Sequence, residues 1–527
     1  MAVEDMYFLG GCIIFLILFV VFYTLWMKTT HSINVSDNDC IKKSVVDDDV
    51  QPELHGHADV IIVGAGVAGS ALAYALGKDG RQVHVIERDL KEPDRIVGEV
   101  LQPGGFLKLM DLGLEDCIRD IDAQQLLGYV LYKDGESIML PYPLETKGMC
   151  FHNGRFVHRM RQKARTIPNV RLQQGSVASL IEEKGVIKGV RYKTKNSQAI
   201  ASAYAPLTIV CDGSSSNLRR ALCTPKVDIP SCMVCLILQD CELPYPNYSH
   251  VVLAPDHSLL FYRISTTEIR FMIDIPRKKL PCISNYLKTV VAFKIPPILY
   301  GAFIAAIDEG KRRMTPNKCM PGNPNCTPGA VLIGDALNMR HPILGGGMTV
   351  ALFDVVLLRD LLTRVRDLHD TNDLSTHIKS FYALRKPFAF TINVFAGGIH
   401  TIVDSSKVAP GSNEHDDDVK EALQQICFKY LSLGGIFSSS TIAVVCGLFS
   451  HPLMVFFHIS GLAVYGLIHI FLPFPSPRRL WLGARLLWGG CMLLFPVVKA
   501  EGITVKLLFL YIIPEFLRGH IVKFLSL

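Results

Sequence analysis

The most constraining feature of this chain lies just past residue 57. Asp59 and the apolar run Val60–Val63 precede Gly64-Ala65-Gly66-Val67-Ala68-Gly69. An alanine-rich stretch follows, then a second apolar run, Val83–Ile86, closed by Glu87. A short β-branched run ended by glycine reads as a buried strand, and the alanine-rich stretch as a helix. Glycines at G-x-G-x-x-G spacing each serve a physical purpose. Gly64 turns tightly, Gly66 lets backbone approach a pyrophosphate, and Gly69 lets the helix pack close on its strand. Val67 and Ala68 open the helix, whose first N–H groups favour phosphate. Glu87 can accept hydrogen bonds from both ribose hydroxyls, which favours an unphosphorylated ribose, as in FAD or NAD. Strand, glycine turn, helix and distal acid together predict a dinucleotide site.

The rest of the chain limits what else it does. Its 527 residues exceed one compact core, and 49% of them are hydrophobic, so part of the apolar surface is expected to meet lipid. Tyr7 to Met27 carries no charge, long enough at about 1.5 Å per residue to cross a hydrocarbon layer. Acidic Glu4 and Asp5 precede it and Lys28, Lys42 and Lys43 follow, which predicts an uncleaved anchor with the bulk of the protein facing the cytosol. Residues 31–57 read as a polar tether. Four further apolar stretches, near Leu433–Phe449, Pro452–Leu472, Leu480–Val498 and Val505–Phe516, read as helices in or against a bilayer. The net charge of +6 is spread thinly, so nucleic acid is not an expected partner. The 15 cysteines are scattered, and Cys232 and Cys235 fall on opposite faces of a strand, so no metal centre is expected.

Three more motifs identify the dinucleotide. They are Glu92-Pro-Asp-Arg95-Ile-Val-Gly-Glu99-Val-Leu-Gln102-Pro-Gly-Gly105, then Leu207-Thr-Ile-Val-Cys-Asp212-Gly213, then Gly334-Asp335-Ala-Leu-Asn-Met-Arg-His341-Pro342-Ile-Leu-Gly345-Gly346-Gly347-Met348. Their order resembles that of the flavoprotein aromatic hydroxylases, and the first and third phrases are similar to those of the squalene epoxidases, over roughly residues 59–387. The resemblance implies an α/β fold: a Rossmann-like FAD domain of the glutathione-reductase type, an interleaved β-sheet substrate domain and C-terminal membrane-associated helices. The boundaries expected are an anchor at 1–30, a linker at 31–57, FAD-domain segments at 58–228 and 325–400, a substrate domain at 229–324 and a helical tail at 401–527.

The same resemblance implies roles. Glu87 and Arg88 would hold the ADP half of FAD; Arg95 would lie beside the pyrophosphate and flavin, and Arg161 on the flavin side. Asp212 and Gly213 would complete the cofactor groove. Asp335 would bond the ribityl chain or pyrophosphate, and Pro342, Gly345, Gly346, Gly347 and Met348 would aim a helix start at the flavin. Tyr129, hydrogen-bonded to Gln102, would be the catalytic pair. The activity implied is epoxidation of squalene to 2,3-oxidosqualene with O2, in an endoplasmic-reticulum membrane. Electrons would come from NADPH through a separate microsomal cytochrome reductase. From the residues themselves, MVCLIL, HVVLA, SLLFYRI and IRFMIDI read as successive strands with one apolar face. Two other chemistries fit the scaffold: an FAD-dependent reductase or desaturase of another isoprenoid lipid, and a catalytically silent terpene-binding flavoprotein.

Overall fold

A computed structural model describes residues 58–194, 200–254, 257–276, 283–403, 415–449 and 451–471, with isolated positions between 474 and 499. The anchor at Tyr7–Met27, the tether and the last apolar stretch lie outside the described residues.

Two seven-stranded sheets organise the chain. The first runs, edge to edge, Ile200–Tyr204, Val186–Thr194, Val170–Glu183, Val83–Glu87, Val60–Val63, Leu207–Val210 and Ala330–Leu332. The five strands from Val170–Glu183 to Ala330–Leu332 pair in parallel, and all four residues of Val60–Val63 are buried. The helices Val67–Lys78, Asn153–Arg165 and Gly347–Leu362 pack side by side against the sheet, and Ile187, Val190 and Tyr192 of the antiparallel strands join the same core.

The second sheet runs Arg313–Cys319, Asp228–Gln239, Glu268–Pro276, Ser258–Arg263, Ser249–Leu253, Gly128–Lys133 and Glu136–Pro141. The four apolar segments read between 229 and 276 are thus strands of one sheet. Alternation gives each strand two roles: Val234, Leu236, Phe261 and Phe271 pack under the short helices of 283–308, while Met233, Cys235, Leu260 and Met272 face the other way. The hairpin Gly128–Pro141, expected within the first FAD segment, is the far edge of this second sheet. Its first strand pairs in parallel with Ser249–Leu253, setting Tyr129 opposite Ser249.

A buried ion pair joins the lobes. Glu99, beside the cofactor groove, receives Nε and Nη2 of Arg270 at 2.7 and 2.8 Å, and both residues are almost fully buried. Arg270→Met strands that carboxylate and is expected to cost roughly 3–5 kcal/mol of stability, whereas Glu99→Met with Arg270→Met recovers most of it. Thermal unfolding of the FAD-loaded protein measures both.

The C-terminal helices pack back onto the second sheet. His415–Ser432 and Gly435–Val445 deliver Phe428 and Ile442 into the apolar cluster that holds Val100, Tyr129 and Leu260. Gly104 N–H donates to Cys446 O at 3.0 Å, and a Cβ on Gly104 would stand 2.2 Å from Gly447 O, so the backbones touch. Among the described residues one helix, Pro452–Phe471, is long and apolar enough to cross a membrane. A further pair, Glu421–Ser432 and Gly435–Val445, is bent by 108°.

Candidate functional site

One cavity of about 430 Å³ runs between the two sheets. Gly66, Val67 and Ala68 line it from the glycine turn, Gly213 and Ser214 from the Asp-Gly motif, Gly334 and Asp335 from the Gly-Asp motif, and Pro342, Gly345, Gly347 and Met348 from the glycine-rich segment. Arg95 forms part of the wall and is otherwise exposed. The opposite wall is the apolar face of the second sheet, with Tyr129, Leu260, Tyr262 and Met272.

The glycines divide by what surrounds them. A Cβ on Gly69 would stand 1.9 Å from Gly64 O, and one on Gly64 2.7 Å from Cys211 O, so these two are set by packing of the protein on itself. Cβ atoms on Gly66, Gly213 and Gly347 would meet nothing within 4 Å, and all three line the cavity. They leave room for a group that the backbone must approach closely. The helices starting at Val67 and Gly347 have no side-chain cap and no acid in their first turns, so their leading N–H groups face the cavity unneutralised. A phosphate-rich, ring-bearing cofactor fits that cradle.

Other expected residues stand behind the lining. Glu87 accepts from Ala65 N–H at 2.6 Å through Oε2 and from Asp89 N–H at 3.1 Å through Oε1, which holds the carboxylate toward the glycine turn. Arg88 is exposed, and its carbonyl accepts from the Gln174 side chain. Arg161, expected on the flavin side, is buried behind the glycine turn. It donates to the carbonyls of Ala65, Asp89 and Lys91 and stands 3.7 Å from Glu87. It braces the turn and is not a surface ion pair. Asp212 is not part of the lining; burial pushes its carboxyl up, and Ser216 and the Asn217 backbone hold it from the side. Gly346 packs on Ile392, where a Cβ would come within 2.6 Å.

Arg219 carries no motif signal, yet it joins two motifs. Its guanidinium donates to Gly213 O at 2.6 Å and to Asp335 O at 3.2 Å, fixing the Asp-Gly and Gly-Asp turns to one another.

The catalytic candidates meet where the two walls approach. In Leu101-Gln102-Pro103, the proline begins the helix Pro103–Asp111 and Gln102 is its N-cap, but the Gln102 side chain makes no cap. It turns inward instead. Nε2 donates to Tyr129 Oη at 2.6 Å and to Leu344 O at 2.7 Å, and Oε1 accepts from Tyr142 Oη at 2.7 Å. Leu344 ends a tight turn closed by Gly345 in the left-handed region, φ 62°, a conformation that glycine takes without strain. Burial pushes the Tyr129 phenol well above its ordinary range, so it stays protonated at neutral and mildly alkaline pH. Tyr142 and Leu344 are not legible as partners, since nothing in their local sequence marks them.

Beside this site lies a buried cluster of Asp274, His341 and His400. His400 Nδ1 and His341 Nε2 each stand 3.2 Å from Asp274 Oδ2, Asn317 donates to Asp274 Oδ1, and Ser231 bonds His341. Burial alone would raise the Asp274 carboxyl, but His341 and then His400 hold it well below the ordinary carboxylate range. The two imidazoles stack with centroids 4.0 Å apart and planes 13° from parallel. One ion cannot lie in both ring planes about 2 Å from each nitrogen, so the arrangement suits a shared hydrogen-bonded carboxylate and not a metal.

Known proteins share these motifs and this fold. The family model described as squalene epoxidase matches residues 204–481, and that described as FAD binding domain matches residues 57–265. The chain is 56% identical over 487 residues to squalene monooxygenase SE2 of Panax ginseng, covering 89% of this chain and 88% of that protein. It is 51% identical over 523 residues to squalene epoxidase 3 of Arabidopsis thaliana, covering 97% and 95%. Among solved structures, PqsL of P. aeruginosa in complex with 2-aminobenzoylacetate is similar with a TM-score of 0.58, at 20% identity, over 66% of this chain and 97% of that one. That likeness is one of fold. The expected FAD-binding α/β fold is borne out.

Proposed function

The chain belongs to the squalene epoxidase family, and on that premise we propose that it converts squalene to 2,3-oxidosqualene, with FAD as cofactor and O2 as oxidant, in sterol or triterpenoid synthesis. One observation carries the reading: the same cavity has the cofactor turns on one side and an apolar sheet face on the other, with the buried phenol of Tyr129 held by Gln102 between them.

Reduced FAD supplies the means of activating O2 for transfer of one oxygen atom to an electron-rich alkene. The protein positions, dries and directs. Val100, Leu260, Tyr262 and Met272 offer the substrate chain apolar contact and keep water from the reacting end. The Gln102 amide nitrogen has an acceptor opposite it in Leu344 O, so it must present hydrogen there and to Tyr129. Tyr129 oxygen therefore accepts from the protein, and its own hydrogen remains available to an oxygen atom in the cavity. A neutral phenol in a dry site can stabilise developing charge there without a strong base.

Squalene gains roughly 0.8 kcal/mol per methylene on leaving water, so it partitions into lipid and must be taken from there. The apolar helix Pro452–Phe471 and the exposed Ile436 and Phe449 support a membrane-seated C-terminal region; the lysines after the N-terminal apolar run support catalytic lobes on the cytosolic side, and the family supports the endoplasmic reticulum. The sequence carries one complete dinucleotide fingerprint. That supports electrons arriving from NADPH through a separate microsomal reductase and not from bound NADPH.

Oxygen uptake tests the proposal. Detergent-purified protein with FAD, NADPH, a microsomal reductase and squalene should consume O2 in step with loss of squalene. Squalene conversion without O2 uptake would point to the reductase or desaturase chemistry instead.

A further inference from the structure

We propose that Tyr142 is a positioning residue for Tyr129: its hydroxyl occupies the Gln102 carbonyl, so that Gln102 cannot draw on the Tyr129 proton. The inference rests on the epoxidase reading above but concerns a residue which that reading does not use.

Donors and acceptors around Gln102 can be matched one by one. Gln102 is 1% exposed, so its carboxamide must find its partners within the protein. Its two N–H groups go to Leu344 O and Tyr129 Oη, at 2.7 and 2.6 Å. Its oxygen accepts from the Tyr142 hydroxyl, at 2.7 Å. Tyr142 is 5% exposed and sits edge-on to Tyr129, ring centroids 5.7 Å apart and planes at 86°. Tyr129 lines the cavity, whereas Tyr142 does not. Tyr142 therefore stands behind the cavity wall and acts on it through its neighbours: Gln102, whose oxygen its hydroxyl bonds, and Tyr129, whose hydroxyl it also lies close to.

Without the Tyr142 hydroxyl, the Gln102 oxygen is a buried acceptor with no donor. The nearest hydroxyl able to serve it is that of Tyr129. A small rotation of the carboxamide would let Tyr129 donate to Gln102, and the hydrogen otherwise directed at the cavity would be spent on the protein. Phenylalanine at 142 keeps the ring contacts, so the loss is one of direction and not of packing.

A double-mutant cycle on FAD-loaded, detergent-purified protein tests this. Tyr142→Phe is expected to bind flavin stoichiometrically and to hold KM for squalene within about twofold. Its kcat should fall about tenfold, equivalent to ~1.4 kcal/mol. Added to Tyr129→Phe, it should change kcat no further, because the group it positions is gone. The visible absorption bands of bound flavin, which need no turnover, should shift in Tyr142→Phe and not shift again when it is added to Tyr129→Phe. Gln102→Leu gives a second arm, since Tyr142→Phe added to it should be neutral. Multiplying losses in either double mutant would overturn the proposal, as would a Tyr142→Phe protein that loses flavin or fold. A wild-type protein that binds flavin but does not epoxidise squalene would remove the functional reading instead, while the spectral cycle would still decide the role of Tyr142.

Discussion

Gly66→Val is expected to fold normally and to purify colourless. The backbone at Gly66 has φ −77°, ψ −162°, extended values that valine adopts readily. A Cβ there meets no protein atom within 4 Å, so the branch point itself finds open space in the apoprotein. The space it enters is the space over which a pyrophosphate must pass. Flavin affinity should fall at least about 100-fold, some 2.7 kcal/mol. Gly69→Ala makes the contrast. Its Cβ would lie 1.9 Å from Gly64 O, so that change should damage the turn itself and lower the melting temperature of the apoprotein. Flavin titration monitored by absorbance, beside apoprotein melting, separates the two outcomes. A yellow Gly66→Val protein with unchanged affinity would mean that the cofactor does not cross this turn.

Tyr129→Phe should give the opposite combination: full flavin occupancy and slow turnover. Tyr129 lies on the second sheet, away from the glycine turn, so the ADP half of the cofactor keeps its contacts. Losing the hydroxyl removes the polar hydrogen offered to the cavity and leaves one Gln102 N–H without its acceptor, a loss of about 1–3 kcal/mol in a buried site. Donors aimed at developing charge are commonly worth about 10²-fold in rate, so a kcat reduction of that order is expected with KM little changed. Because burial keeps the phenol protonated well past neutrality, the wild-type rate should show no tyrosine ionisation between pH 7 and about 9. Steady-state kinetics across that range at saturating reductase test both points. Loss of flavin from Tyr129→Phe would make the residue part of the cofactor cradle.

The sequence and the structure agree where information is local. Val60–Val63, the glycine turn and Glu87 are legible because each step depends on its neighbours along the chain. The strands between Asp228 and Pro276 are legible from alternation alone. The Tyr129–Gln102 bond, expected from resemblance, is present at 2.6 Å. What local pattern cannot carry is partnership across long separations. Gln102 reaches Tyr142 over 40 residues and Leu344 over 242, and no periodicity marks either end. The hairpin Gly128–Pro141 falls within the FAD segment by position in the chain, yet its strand pairs with Ser249–Leu253. Arg161 reads as a flavin-side or surface cation in a helix; three backbone carbonyls at the glycine turn make it a buried one. The Asp274–His341–His400 cluster joins three distant segments and has no signature in any one of them.

On the epoxidase reading, oxygen from O2 reaches an alkene in the cavity between the two sheets. This is tested most directly by turning over squalene under ¹⁸O2 in ordinary water, with FAD, NADPH and a microsomal reductase, and weighing the product. The expected result is 2,3-oxidosqualene carrying one ¹⁸O atom per molecule. Unlabelled product, or a yellow, folded protein that consumes NADPH and returns squalene unchanged, contradicts it.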